Sequence, residues 1–488
     1  MKESTSRFIK GSVYSIYSNI VVILIMTLIS IFTARHLGRE IMGLYSILLS
    51  LQGIVTIFAM FGIPPAMAKL LSEYSQTRKD ARDDLVLTAF ALVLAFSIVF
   101  ASIYSLSREI ISVRFYNVPE LSPMIQISSA IVVILSVSTL TNSALQGFQR
   151  FRLLSRLTII NSVISLPVSI YLIYSWGITG ALVALLVNYM VSAINNISHL
   201  WKILKEEDIK IRLCFNRRVA RELIGFGMPM VLSGLVVIPG VWFANTTLAI
   251  YSGLGDVGLF AIAYTISNML LFIPNAIAIP LIPLVSEFSA KDKREMNNLS
   301  LNTFYLIGIL ALPGSIFTCI FARDIVSVVY GSQFYGSWMI LCLMAIAIYL
   351  VSLCSVIGNI IIGLGKTWDS FILNALWFIS FIIAAHYLIM AYGLSGVGYA
   401  YIASYLFFII ILQIYMKYKQ HVVIKNFSLY LIVPLIILLI SLFIPNSIYY
   451  RVAYFLIFLL IGIVLSRKSR ASLRGMWIDL TASPNTKN

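Results

Sequence analysis

Long apolar stretches broken by short polar ones run along almost the whole chain. Read as helices of about 20 residues, the length that crosses a bilayer, they predict fourteen spans. Their ranges are 12–34, 43–64, 84–105, 123–142, 155–175, 178–198 and 226–250, then 258–283, 300–322, 338–360, 369–391, 394–416, 427–444 and 449–466. Only a helix or a closed barrel can pair every backbone group inside hydrocarbon. Helix-length apolar runs without period-2 alternation therefore predict an all-α integral membrane protein. Pro64 and Pro65 are expected to end the second span, and Pro229 and Pro239 to kink the seventh.

The pattern occurs twice. ALQGFQRFRLLSRLTIINSVISLPVSIYLIYSWGITGA from Ala144 aligns without a gap on IIIGLGKTWDSFILNALWFISFIIAAHYLIMAYGLSGV from Ile360. Gly147 meets Gly363, Gly177 meets Gly393 and Gly180 meets Gly396, an interval of about 216 residues. Upstream, LGREIMGLYSI from Leu37 echoes LGDVGLFAI from Leu254. Spans 1–6 then form one repeat and spans 7–12 the other. Six is even, so both enter the membrane in the same direction and the repeat is parallel. The expected domains are 1–215, an N-lobe ending in the polar linker 199–225; 216–420, a C-lobe; and 421–488, two appended spans and a tail. Duplicated membrane bundles are the architecture of transporters, because two similar halves can enclose a cavity that opens to either side.

Hydrophobic residues make up 60% of the chain and charged residues 11%, well below the roughly 25% of a soluble domain. With the N-terminus placed in the cytoplasm, roughly five-sixths of the 35 lysines and arginines fall in cytoplasmic segments. The net charge of +16 thus reads as an orientation signal with both termini cytoplasmic. Basic residues scattered over separate loops do not make a nucleic-acid surface. The four cysteines have no metal-ligand spacing, and neither a metal nor a cofactor is expected. GLGKT at Gly363–Thr367 lacks the leading glycine of a phosphate-binding loop, which is Ile360 here, and is expected to be a helix-end turn.

All 19 Asp and Glu residues fall in expected loops or at span ends. Coupling to protons or sodium ordinarily needs a carboxylate within the membrane, so tight coupling through an acid is not expected. Cations stand where an anionic cargo would meet them: Arg35 and Arg39 at the outer end of span 1, and Arg114 beyond span 3. Lys69 lies after span 2, Arg150 after span 4 and Lys366 after span 10. Asn19 and Asn245 are polar positions inside spans that could line a wet passage. The competing reading is snorkelling of the cations to lipid headgroups and helix-to-helix hydrogen bonding by the amides.

The segment ARHLGREIMGLYSILLSLQGIVTIFAMFGIPPAMAKLLSEY from Ala34, above all Ala34, Arg35, Leu37, Gly38, Gly43, Leu44 and Tyr45, resembles the opening of polysaccharide-transporter proteins. These are the oligosaccharide flippases of the multidrug/oligosaccharidyl-lipid/polysaccharide exporter superfamily. The resemblance implies alternating access by two six-helix lobes, with spans 13 and 14 fitting the fourteen-helix members. It implies movement of a polyprenyl-phosphate- or diphosphate-linked oligosaccharide from the cytoplasmic to the outer leaflet of the plasma membrane, for cell-surface glycan assembly. The implied partners are that lipid-linked oligosaccharide, membrane lipids and glycan-assembly enzymes, with no nucleic acid and no catalytic residues. Two rivals stand beside it. A cation-coupled drug or metabolite exporter would need a membrane carboxylate, and a glycan polymerase would need an outer loop large enough for a catalytic site.

Overall fold

The computed structural model describes residues 2–77, 79–207, 215–272, 274–275, 281, 285–286, 293–419, 427–441, 447 and 449–458. Among them no strand occurs. In chain order the helices are α1 (Lys2–Met60), α2 (Ile63–Thr77), α3 (Lys79–Leu106), α4 (Leu121–Gly147), α5 (Phe151–Glu206) and α6 (Arg217–Ser252). After them come α7 (Leu254–Met269), α8 (Lys293–Val329), α9 (Trp338–Gly363), α10 (Thr367–Tyr392), α11 (Leu394–Lys419) and α12 (Phe427–Ser441). A π-helical turn, Ile110–Phe115, separates α3 from α4, and a 3-10 turn, Ser332–Ser337, precedes α9.

Nine helices among the described residues are long and apolar enough to cross a membrane. Two of them supply two spans each. The apolar part of α1 covers 44 residues and α5 covers 56, twice or more what one crossing of about 20 residues needs. Each is broken at a single glycine, Gly38 (φ 80°, ψ 173°) and Gly177 (φ 57°, ψ −131°). The short loops expected between spans 1 and 2 and between spans 5 and 6 are thus one-residue breaks. Eleven of the fourteen expected spans are accounted for in this way. The other three, 258–283, 427–444 and 449–466, are each described in part.

Pro64 and Pro65 do something other than end a span. The α1 helix stops at Met60, the chain turns through Phe61 (φ 46°) and Gly62 (φ 65°), and both prolines lie in the first turn of α2. Proline is tolerated there because the first amide protons of a helix have no intrahelical acceptor. Ile63, Ala66, Met67, Leu70, Leu71 and Tyr74 form the buried face of α2, at helical spacing.

Packing divides the chain into two compact units, Met1–Gly258 and Leu259–Asn488. The seventh span therefore packs with the first six. The reason is visible along α6, which lies against α1, α2 and α3. One core cluster of the first unit gathers Leu85, Leu140, Leu145, Leu157, Leu200 and Leu223, and another gathers Leu48, Tyr104, Leu121, Ile125 and Leu182.

In the second unit α9 is the most enclosed helix, packed against α8 and α11. Arg451, in the last described segment, pairs with Asp324 of α8; the arginine side chain is 7% exposed and the carboxylate 52%. Asp324→Ala takes that carboxylate from a buried guanidinium. Its expected cost is about 2 kcal/mol, below the 3–5 of a fully buried pair because water already reaches the acid. A thermal melt of the purified variant checks it, and an unchanged midpoint would show the pair to be idle.

The duplication is legible atom by atom. Gly177 and its partner Gly393 (φ 54°, ψ −130°) share one backbone conformation. A Cβ on Gly180 would lie 1.9 Å from the Leu172 carbonyl oxygen, and one on Gly396 would lie 2.0 Å from that of Leu388. In a straight helix those residue pairs would be about 12 Å apart, so each glycine break folds the helix back on itself. The turns after α4 and α9 match as well. Gln149 (φ 56°) and Gly365 (φ 74°) are equivalent, and Arg150 N–H donates to Leu145 O just as Lys366 N–H donates to Ile361 O. GLGKT is the helix-end turn expected of it.

Candidate functional site

The first unit places polar and charged groups at its two ends, with hydrogen-bonded amides between them. One end is marked by Gly38. Arg35 and Arg39 flank the break, both exposed. Arg39 approaches the first turn of α7, its Nε 3.3 Å from where a Cβ on Gly255 would stand. Burial raises the Asp256 carboxyl above its ordinary range, and the Arg39 guanidinium pulls it partly back. Arg114 is exposed in the last turn of the π-helix, a distortion that recurs at functional sites.

The residue after that turn is locked to α6. The Tyr116 hydroxyl is hydrogen-bonded to Thr246 Oγ1 at 2.6 Å, and Trp242 Nε1 donates to Tyr116 Oη at 3.1 Å. Phe115 stacks on Trp242, centroids 6.4 Å apart and 16° from parallel. Close by on α6, Asn245 is 1% exposed. Its Nδ2 donates to Ser46 Oγ at 3.2 Å, and its Oδ1 is buried without a partner. An unpaired buried amide oxygen costs about 1–3 kcal/mol, and such an atom asks for a donor.

The opposite end is marked by Gly62, whose Cβ would lie 2.4 Å from the Gly227 carbonyl oxygen. Lys69 holds its ammonium 4.3 Å from the Phe226 ring centre, a cation–π contact. Tyr74 donates to Glu222, which also pairs with Arg218 at 3.5 Å. Asn216 caps α6 through Arg218 and Val219 N–H, and its Nδ2 donates to Asp84 at 2.7 Å. Phe226 and Asn245 are nineteen residues apart on α6, about 28 Å of helix, close to the roughly 30 Å of a hydrocarbon core.

Of the eight residues the sequence singled out, Arg35, Arg39, Arg114 and Asn245 gather at the Gly38 end. Lys69 and Arg150 sit at the other end, where Gly147 packs on Leu71. Arg150 is engaged there by Glu206 at 3.2 Å and Glu207 at 3.7 Å, a pairing that neither the cargo reading nor the snorkelling reading of this residue anticipated. Asn19 is exposed on the first half of α1, beside Ser18, which reaches Ser155 at 3.4 Å. Lys366 belongs to the second unit, at the start of α10.

Between the ends the amides cross-link helices. Asn195 donates to Asn161 at 2.6 Å, Asn196 to Asn142 at 2.8 Å, and Ser128 to Gln52 at 3.0 Å. Tyr116, Trp242 and Thr246 were missed by sequence reasoning. A hydroxyl or an indole in an apolar run is unremarkable in a membrane helix, and only the fold brings these three together. Among the described residues no Asp or Glu is buried; Arg451 is the one buried charge. Nor do three or more His, Cys, Asp or Glu come together among them as a metal could use.

The profile of a family described as polysaccharide biosynthesis proteins matches residues 13–339, more than half of the chain. The chain belongs to that family. Its relatives include an uncharacterized membrane protein of Methanocaldococcus jannaschii, 25% identical over 85% of this chain and 99% of its own length. A probable low-salt glycan biosynthesis flippase, Agl15 of Haloferax volcanii, is 23% identical over 77% of this chain and 76% of that protein. Among solved structures, the lipid II flippase MurJ in an inward closed conformation superposes with a TM-score of 0.71 at 16% identity. That match covers 97% of this chain and 100% of that one. The fold is therefore that of this solved flippase, and the protein is a multi-pass membrane protein.

Proposed function

We propose that this family member is a flippase that carries a lipid-linked oligosaccharide from the cytoplasmic to the outer leaflet of the plasma membrane. The observation that carries the reading is the makeup of the interior: amides and hydroxyls paired across helices, and no buried carboxylate among the described residues. Such an interior is polar without being acidic, which suits a hydroxyl-rich head and, among the described residues, leaves no buried acid to bind and release a coupling ion. The relatives described as flippases and as biosynthesis proteins point the same way.

In this reading the two repeats, 1–215 and 216–420, alternate in opening the passage, and both termini stay in the cytoplasm. The lipid tail remains in the bilayer, and the cations at the Gly38 end receive the phosphate. Glycan-assembly enzymes supply and consume the cargo. Two negative charges moving outward release about 4.6 kcal/mol across 100 mV, at roughly 2.3 per charge, so the membrane potential suffices as a driving force. The test is transfer of a labelled polyprenyl-diphosphate disaccharide in proteoliposomes. Protein-dependent transfer that speeds up when the imposed potential favours outward anion movement is expected. No transfer would sink the reading, and transfer indifferent to potential would sink its energetics.

A further inference from the structure

The second unit contains a cluster of six aromatic side chains. Phe260, Tyr264, Trp377, Phe381, Tyr401 and Tyr405 pack ring against ring, contributed by α7, α10 and α11. Trp377 stacks on Phe381 (5.6 Å, 15°) and leans on Tyr405 (5.1 Å, 35°). Tyr401 closes the group against Phe381 at 4.5 Å and Phe260 at 6.4 Å. Tyr401 and Tyr405 stack, centroids 6.4 Å apart and 14° from parallel. Tyr264 and Tyr405 are half-buried, so the cluster has an open edge, whereas Trp377 is 4% exposed.

Two observations separate this box from ordinary core packing. The first is the internal repeat. The positions equivalent to Trp377, Phe381 and Tyr401 are Asn161, Ser165 and Leu185. The same hairpins close in the first unit with an amide pair, Asn161 to Asn195 at 2.6 Å, where the second unit has rings. The counterparts of Phe260 and Tyr405, Tyr45 and Tyr189, are aromatic too, so what sets the second unit apart is Trp377, Phe381 and Tyr401. The second is Trp377 Nε1, which is buried and has no partner. A buried unmade hydrogen bond is costly enough that native interiors rarely keep one.

We propose that this box is a saccharide subsite of the second unit, taking one sugar ring of the cargo. This inference rests on the flippase reading and goes beyond it by naming the residues that grip the head. A pyranose has an apolar face of C–H groups that lies flat on aromatic rings and an equator of hydroxyls. Trp377 Nε1 donates to one of those hydroxyl oxygens, and the tyrosine hydroxyls exchange hydrogen bonds with its neighbours. None of the six side chains carries a charge, which suits the neutral sugar and leaves the phosphate to the cations elsewhere.

The test compares wild type with Trp377→Phe and Tyr405→Phe. The probes are polyprenyl-diphosphate-N-acetylglucosamine, polyprenyl-phosphate-mannose, polyprenyl-phosphate-glucose and sugarless polyprenyl phosphate, each bound to protein in nanodiscs. Trp377→Phe is expected to bind at least one sugar-bearing probe about fivefold more weakly, roughly one hydrogen bond's worth, with the sugarless probe unchanged. Without ligand its melting point falls only by the cost of the smaller ring, which the sugarless probe controls for. Equal losses on sugar-bearing and sugarless probes would place the effect outside the box and overturn the inference. Protection of the cluster by tetramethylammonium but by no sugar would assign it to cations and overturn it too. Wild-type flipping of a sugar lipid with Trp377→Phe binding like wild type would refute the subsite alone. Failure of wild type to bind or flip any sugar lipid would take down the flippase reading as well.

Discussion

Valine at Gly180 or at Gly396 is expected to remove folded protein from the membrane. At each position the new Cβ would sit about 2 Å from a backbone carbonyl oxygen, that of Leu172 or Leu388. The obstacle is the other arm of the same hairpin, so no side chain can swing aside. The arms must spread, and the spread carries through the buried faces of α5 or of α10 and α11. The expected loss exceeds about 4 kcal/mol, the scale of the largest single-site effects. Because the local geometry is repeated, both positions should respond alike. Gly225 and Gly358 supply the contrast. Nothing lies within 4 Å of a Cβ at either, so alanine there should shift stability by no more than about 0.5 kcal/mol. Monodisperse elution from size exclusion and the melting midpoint of the purified variants decide the matter. Folded, wild-type-like Gly396→Val would show that the hairpins do not close as described.

The hairpin glycines were legible in the sequence for a reason that extends to the rest of the bundle. Spans are set by the backbone's need for internal hydrogen bonds, which leaves a strong one-dimensional trace of about 20 apolar residues. Gly177 and Gly393 were visible as repeat partners because a hairpin without a loop needs a backbone that few other residues adopt. Other features leave no such trace. The fusion of spans 1 and 2 into α1 depends on Gly38 alone, and apolarity says nothing about whether a turn has one residue or eight. Pro64 and Pro65 break a helix or start one according to which side of Gly62 the turn falls. The place of α6 with the first unit is a matter of which faces touch, and faces that are apolar all round carry no pattern to read.

The candidate site was legible by residue type but not by association. Arg35, Arg39, Arg114 and Asn245 share one end because helix length fixes their depth, and depth can be counted from the sequence. Arg150 was picked out on the same grounds, yet Glu206 and Glu207 meet it only because α5 runs its full length back to the same surface. The aromatic box escaped altogether. A tryptophan and three tyrosines scattered over three helices read as ordinary membrane residues until the fold brings them together beside an unpaired N–H.

The echo of Leu37–Ile47 in Leu254–Ile262 sets eleven residues against nine, and the structure fixes the register at an interval of 215: Gly38 pairs with Gly253 and Gly43 with Gly258. Gly38 (φ 80°, ψ 173°) and Gly253 (φ 91°, ψ 171°) share a conformation. The next glycines pack on each other reciprocally. A Cβ on Gly43 would lie 2.0 Å from Leu254 O and 3.2 Å from Gly258 N, and a Cβ on Gly258 would lie 1.9 Å from Arg39 O and 3.2 Å from Gly43 N. Two equivalent helix starts thus cross with backbone on backbone at one point. Gly43→Ala and Gly258→Ala should each cost about 3 kcal/mol or more, because each forces a main chain to retreat. Once one alanine has pushed the helices apart, the second has little left to displace. The double variant is therefore expected to cost little more than either single one, a coupling of about 2–3 kcal/mol in a double-mutant cycle. Midpoints of chemical or thermal unfolding for the four proteins measure it. Losses that simply add would mean that the glycines occupy separate spaces, and the reciprocal crossing would have to be given up.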